Sequence, residues 1–156
     1  MTRRRAWIVT VPLIVLLGFA SGWLSNSGYG NPWFDALAKP AFMPPGWVFP
    51  VAWTTLYVLM GIAVAQVIAS DCDAKRPALL MFATQLVLNL AWSPIFFGMH
   101  QARAGLAIII VLTIDVVITI GLFARVRRSA AWLMLPYLAW LIFATCLNLA
   151  IVRLNG

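Results

Sequence analysis

Five apolar stretches separated by short connections run along this chain: Trp7 to Leu24, Trp47 to Ala69, Ala78 to Phe97, Ala104 to Phe123 and Ala131 to Val152. Each matches the roughly 20 residues that carry a helix across a hydrocarbon core about 30 Å thick. The pattern predicts an all-α protein, an integral membrane bundle of five transmembrane helices at 7–24, 47–69, 78–97, 104–123 and 131–152. These spans take up most of the 156 residues, which leaves a single domain over 1–156 and no room for a soluble catalytic module between helices. The first stretch, with Arg3-Arg4-Arg5 ahead of it and Ala20-Ser21-Gly22 near its end, also has the outline of a signal peptide. Gly18 and Gly22 favour a retained helix, because small residues four apart let backbones approach closely in lipid.

The connection over residues 25–46 breaks the pattern of short polar turns. From Asn31 to Trp47 it is filled with aromatic residues and prolines, at 32, 40, 44 and 45, with Pro50 just beyond. Proline fixes φ and removes a backbone donor, so this long first loop is expected to be stiff, structured and non-helical. A stiff aromatic loop at a membrane surface can act as a lid.

Composition and charge add topology. Hydrophobic residues make up 63% of the chain and charged residues 10%, far from the roughly 25% charged of soluble domains. With five spans, the N-terminus and the second and fourth loops share one side and carry Arg3, Arg4, Arg5, Lys75, Arg76, Arg125, Arg127 and Arg128. The other side has only Lys39, Arg103 and Arg153, so the N-terminus is expected in the cytoplasm, with the first loop and the C-terminus opposite. The net charge of +7 therefore reads as topology and lipid-headgroup contact, with no nucleic-acid partner implied. Cys72 and Cys146 fall at different depths and are expected to stay unpaired; the lone His100, in a short loop, makes no metal site.

Depth makes the pattern specific. At about 1.5 Å per residue, Trp53 lies roughly 9 Å below the loop-side end of the second span, and Trp92 and Asn89 roughly 8 and 12 Å below that of the third. Trp140 falls near the middle of the fifth span, with Ala144 and Asn148 following on the same face. Tryptophan is common at both bilayer interfaces, which suits Trp7, Trp23, Trp47 and Trp132, but a deeper indole N–H needs a partner. Gln85, Asn89 and Trp92 share one helix face, and an amide there should face the bundle interior, as lining for a ligand or as a bond to a neighbouring helix. Pro94 loosens the helix close to this layer. Asp115, the only acid within a span, has Thr113 and Thr119 as its nearest polar neighbours in sequence, which points to a helix contact rather than a proton relay.

The run Trp33 to Leu37, Lys39-Pro40, Phe42, Pro44-Pro45, Trp47, Phe49 and Trp53 resembles the first loop and second helix of the tryptophan-rich sensory proteins, relatives of the mitochondrial translocator protein or peripheral-type benzodiazepine receptor. Gln85-Leu86 with Asn89 and Trp92 to Gly98, and Pro136-Tyr137-Leu138 with Trp140, Phe143-Ala144 and Leu147-Asn148, resemble the family's third and fifth helices. The resemblance implies a bacterial membrane protein, a homodimer, that binds tetrapyrroles such as protoporphyrin IX and haem, and isoquinoline or benzodiazepine ligands, beneath the first loop. It implies no obligatory cofactor, the porphyrin being a ligand. Carried over, Trp53 and Asn89 match positions that hydrogen-bond a ligand carbonyl, and Trp140 matches a pocket wall. Phe34, Pro44, Trp92 and Ala144 match lining positions, and Trp33, Phe42 and Leu147 belong to the same motifs and complete the candidate set. Trp53 and Trp140 also match tryptophans implicated in light-dependent porphyrin breakdown, which makes them the catalytic candidates of an enzymatic alternative. Transport of small amphipathic molecules is a third reading. Lys39 is the best-placed cation for a propionate, and a lipid-headgroup contact suits it at least as well. Two departures matter: the C-terminal segment from Leu147 to Arg153 lacks the tyrosine of the animal sterol motif, and Ala41-Phe42 stands where some relatives carry two tryptophans.

Overall fold

The computed structural model describes residues 3–156, with side chains from Arg5 onward. Six α-helices follow in order: α1 Arg3–Leu24, α2 Pro32–Ala36, α3 Val48–Ile68, α4 Lys75–Ser93, α5 Ala102–Val126 and α6 Arg128–Asn155, with a π-helical turn, Pro94–Gly98, extending α4. Five of these are long and apolar enough to span a membrane, and no strand occurs among the described residues. The spans form a ring in which α1 lies on α3, α3 on α6, α6 on α5 and α5 on α4, and a small contact between α4 and α1 closes it.

The helices overrun the expected boundaries at both ends of the bundle. α4 starts at Lys75 rather than Ala78, and α6 runs from Arg128 to Asn155 rather than from 131 to 152. The apolar pattern marks the hydrocarbon layer, whereas the helices run on through basic residues at their ends, Lys75 and Arg76 in α4 and Arg128 and Arg153 in α6; the Lys75 ammonium donates to Ile68 O of α3. α5 and α6 are separated by Arg127 alone, whose extended φ of −158° makes the turn.

Small residues set the closest approaches within the single chain. A Cβ on Gly61 of α3 would stand 2.6 Å from Val11 Cα of α1, and Thr10 Oγ1 donates to Gly61 O at 2.8 Å as well as to Ala6 O. Gly18 lies against the ring of Tyr57, where an added Cβ would meet Cε2 at 2.1 Å. The core of the ring is built from Met60, Phe82, Leu112, Phe123, Tyr137 and Leu141, all buried. Asp115 is also buried, and Thr119 Oγ1 donates to its Oδ1 at 3.1 Å one turn along the same helix.

Pro94 does more than loosen α4. Lacking an N–H, it leaves the carbonyl of Leu90 without its intrahelical donor. Ser21 of α1 supplies one, its Oγ donating to Leu90 O at 2.7 Å. The next bond skips a residue, Met99 N to Pro94 O at 2.8 Å, and the backbone widens into the π turn that carries Phe96 and Phe97.

Candidate ligand-binding cavity

The loop over 25–46 is structured, but the expectation that it is non-helical is corrected by α2. Asn31 caps this turn, its Oδ1 accepting from Trp33 N at 3.1 Å and Phe34 N at 3.3 Å, and Pro32 occupies the first helical position. Proline breaks a helix interior but suits its first residue, where the missing donor would be unpaired anyway. At the other end of the turn Lys39 Nζ donates to Phe34 O at 2.7 Å and Leu37 O at 3.1 Å, and it sits 4.7 Å from the Phe34 ring centroid. From sequence Lys39 was open to a propionate or to a lipid headgroup; here its ammonium holds the end of α2.

Three contacts tie the loop down. Asn31 Nδ2 donates to Phe97 O at 3.4 Å. The Asn155 side chain pairs with Ala38 through two bonds of 2.9 Å, from Ala38 N and to Ala38 O. Trp33 stacks on His100 with centroids 4.9 Å apart. Phe34 is thereby pressed edge-on against Phe97, 5.1 Å away.

Beneath this lid lies a cavity of about 610 Å³, walled by α1, α3, α4, the π turn and α6 and floored by Ile109 and Leu112 of α5. It is in the size range of small-molecule sites. Of the residues singled out from sequence, Phe34, Trp53, Asn89, Trp92, Trp140, Ala144 and Leu147 line it. Trp33, Phe42 and Pro44 do not: Trp33 lies between His100 and Phe96, and Phe42 rests on Phe143, 6.4 Å away, with half its surface exposed. Pro44 is half-buried within the lid.

Aromatic rings shape the walls. Trp53 stacks on Tyr57 at 5.4 Å and meets Trp140 edge-on at 6.3 Å, while Trp92 stacks on Phe96 at 4.8 Å. Below them runs a buried polar chain. Tyr57 OH donates to Asn89 Oδ1 at 3.1 Å, Asn89 Nδ2 donates to Tyr137 OH at 2.7 Å, and Tyr137 OH donates to Gln85 Oε1 at 3.0 Å. Gln85 Nε2 reaches Met60 Sδ at 3.8 Å. Trp92 Nε1 donates to Asn148 Oδ1 at 3.2 Å, and Asn148 Nδ2 to Ala102 O at 2.9 Å. The two alternatives left open for Asn89 thus coexist: it bonds neighbouring helices through both ends and still borders the cavity, with one amide hydrogen unassigned.

Two lining polar atoms are left over. Trp140 Nε1 and Ser93 Oγ are buried without a hydrogen-bond partner. Among the described residues, no Lys, Arg, His, Asp or Glu side chain lines the cavity. The arrangement can hold a flat apolar body between rings and offer it a few neutral donors.

Sequence reasoning missed Tyr57, Ser93 and the α1 wall of Gly18, Phe19 and Gly22. Tyr57 was within reach, since it follows Trp53 by one helical turn on the same face. Ser93 and the α1 wall were not, because they join the site through the way α1 lies against α4.

The chain matches known proteins along nearly its whole length. Residues 9–154 match the model of the TspO/MBR family. It is 40% identical over 153 residues to the tryptophan-rich protein TspO of Chlorobaculum tepidum, covering 95% of this chain and 97% of that one. It is 42% identical to the tryptophan-rich sensory protein of Cereibacter sphaeroides, over 80% of this chain and 78% of that one. With the translocator protein of Homo sapiens it shares 37% identity, over 82% and 78% of the two chains.

Proposed function

The chain belongs to the TspO/MBR family and is a multi-pass membrane protein, and from that premise we propose that it is a membrane receptor for flat amphipathic molecules. Tetrapyrroles such as protoporphyrin IX and haem, and isoquinoline or benzodiazepine ligands, are the proposed guests. The observation that carries this reading is an indole-walled cavity of about 610 Å³ in which Trp140 Nε1 has no partner within the protein. A buried indole N–H without an acceptor is unfavourable, and a ligand carbonyl or ring nitrogen would relieve it. The guest lies against Trp53, Trp92 and Trp140 below Phe34, with Ala144 and Leu147 against its edge, while Asn89 offers its remaining amide hydrogen. Trp33, Pro44 and Phe42 serve by holding the lid. The loop faces away from the cytoplasm, and the working unit is a homodimer in a bacterial membrane.

Quenching of tryptophan fluorescence by protoporphyrin IX in detergent tests the site. Trp53→Phe and Trp140→Phe are each expected to weaken binding about tenfold, equivalent to about 1.4 kcal/mol. Unchanged affinity in both variants would sink the proposal. A second reading, photochemical breakdown of the bound porphyrin, is favoured by the Trp53 and Trp140 rings standing 6.3 Å apart at the same wall. Under illumination it predicts loss of porphyrin absorbance that stops with Trp140→Phe and does not occur in the dark.

A further inference from the structure

Charge is distributed unevenly between the two helix corners at the end of the bundle opposite the lid. The α3–α4 corner sets Lys75 and Arg76 against Asp71 and Asp73. The α5–α6 corner carries Arg125, Arg127 and Arg128, and the sequence has no Asp or Glu after Asp115. All three arginines are exposed. Arg127 Nε donates to Ser129 Oγ at 3.3 Å, and Arg125 and Arg128 have no hydrogen-bond or ion-pair partner among the described residues. Other basic side chains are held by backbone carbonyls, Lys75 by Ile68, Lys39 by Phe34 and Arg103 by Gly156.

The α5–α6 corner is also braced. Arg127 alone joins the two helices, and its N–H donates to Phe123 O at 2.6 Å. Ser129 Oγ donates to the buried Gln66 side chain, which ties the first turn of α6 to α3. Guanidiniums shown from so short a turn lose little freedom on binding, and their planar donor forks suit a phosphate.

Toward the lid, α6 continues from the arginines as an exposed apolar stripe. Trp132, Leu135, Ile142 and Cys146 follow Arg128 at 4, 7, 14 and 18 residues, a spacing that keeps them on one helix face. Trp132 is 69% exposed and Ile142 53%. At about 1.5 Å per residue the indole lies roughly 6 Å and Leu135 roughly 10 Å beyond Arg128. Cation, amphipathic ring and aliphatic surface thus come in the order of a phospholipid's phosphate, glycerol ester and acyl chain. A zwitterionic headgroup would bring its own ammonium to this basic corner, so the charge favours an anionic one.

We propose that the α5–α6 corner is a binding site for an anionic phospholipid of the leaflet opposite the lid. Arg127 and Arg128 hold the phosphate, and Arg125 adds to the field that attracts it. The glycerol ester lies against Trp132 and an acyl chain along Leu135 and Ile142. The site is separate from the cavity and independent of what the cavity binds.

Native mass spectrometry of the purified full-length chain, given equal amounts of phosphatidylglycerol and phosphatidylcholine, tests the site. The unaltered chain is expected to retain phosphatidylglycerol in at least about tenfold preference. Arg127→Gln with Arg128→Gln is expected to bring the ratio close to one, whereas Arg103→Gln with Arg153→Gln, the same loss of charge at the lid end, leaves it unchanged. Losing two charges can also disturb insertion, so Arg127→Lys with Arg128→Lys keeps the charge and removes the forks, with an expected fall in preference of about threefold. Trp132→Ala is expected to lower retention of both lipids. Equal retention of the two lipids by the unaltered chain overturns the proposal, as does a preference undiminished in either arginine pair at 127 and 128. Inorganic phosphate retained in place of lipid shows an ion site only, and cross-linking of Cys146 between copies in place of lipid gives the face to a second copy; either result overturns it too.

Discussion

The hydroxyl of Tyr137 accepts from Asn89 and donates to Gln85 with none of its residue's surface exposed. Tyr137→Phe leaves an amide donor and an amide acceptor unmet in an apolar bundle, at a cost of about 1–3 kcal/mol. The expected outcome is a lower unfolding midpoint in detergent, together with weaker porphyrin quenching as Asn89 loses its fixed rotamer; an unchanged midpoint would mean the chain of bonds contributes nothing. Gly18→Ala acts through shape. Its Cβ would fall 2.1 Å from the Tyr57 ring, which itself stacks on Trp53, so overpacking of about 1–3 kcal/mol and a displaced cavity wall are expected. Gly121→Ala, where an added Cβ meets nothing within 4 Å, is the control and should leave both stability and quenching unchanged. The depth layer of Trp53, Asn89, Trp92 and Trp140 could be read from sequence because rise per residue is a local constant. Which partner each polar atom takes could not, because Tyr57, Asn89 and Tyr137 are separated by 32 and 48 positions and meet only when three helices pack.

At the scale of single elements, α2 and the π turn decide how the lid meets the bundle. Asn31→Ala removes the cap of α2 and the bond to Phe97 O together, with a loss of about 0.5–2 kcal/mol from the cap alone. Faster cleavage of the 25–47 segment in limited proteolysis, with the spans intact, is the expected readout. Pro94→Ala returns an N–H that competes with Ser21 for Leu90 O. The helix is then expected to continue as a regular α-helix, turning Phe96 and Phe97 away from Phe34. Porphyrin quenching should fall while helical circular dichroism holds or rises; retained quenching would show that the π turn has no part in the site. Pro94 stood out in the sequence as a loosened helix, and Pro32 as part of a rigid loop. That one would start a helix and the other widen one depended on what could serve the neighbouring backbone groups, Asn31 in the first case and Ser21 in the second.

For the whole molecule, membrane orientation is the open quantity that charge predicts. Cys72 is exposed in the connection between α3 and α4, on the side opposite the lid, and Cys146 is exposed on the outer surface of α6. With Cys146→Ala, a membrane-impermeant maleimide applied to intact cells should leave Cys72 unlabelled until the membrane is opened; labelling before that would invert the proposed topology. The five spans and the family were legible from the sequence alone, because hydrophobic length answers to the bilayer and does not depend on which helix touches which. The polar layer was legible for the same reason, since a buried amide or indole must face the bundle wherever the bundle places it. Only the packed ring decided that Lys39 would hold α2 rather than a ligand, that Trp33 and Phe42 would brace the lid outside the cavity, and that Trp140 and Ser93 would be left without partners. Burial is set by stretches of neighbouring residues, but a hydrogen bond forms or fails within a few tenths of an ångström between atoms that only the tertiary structure brings together.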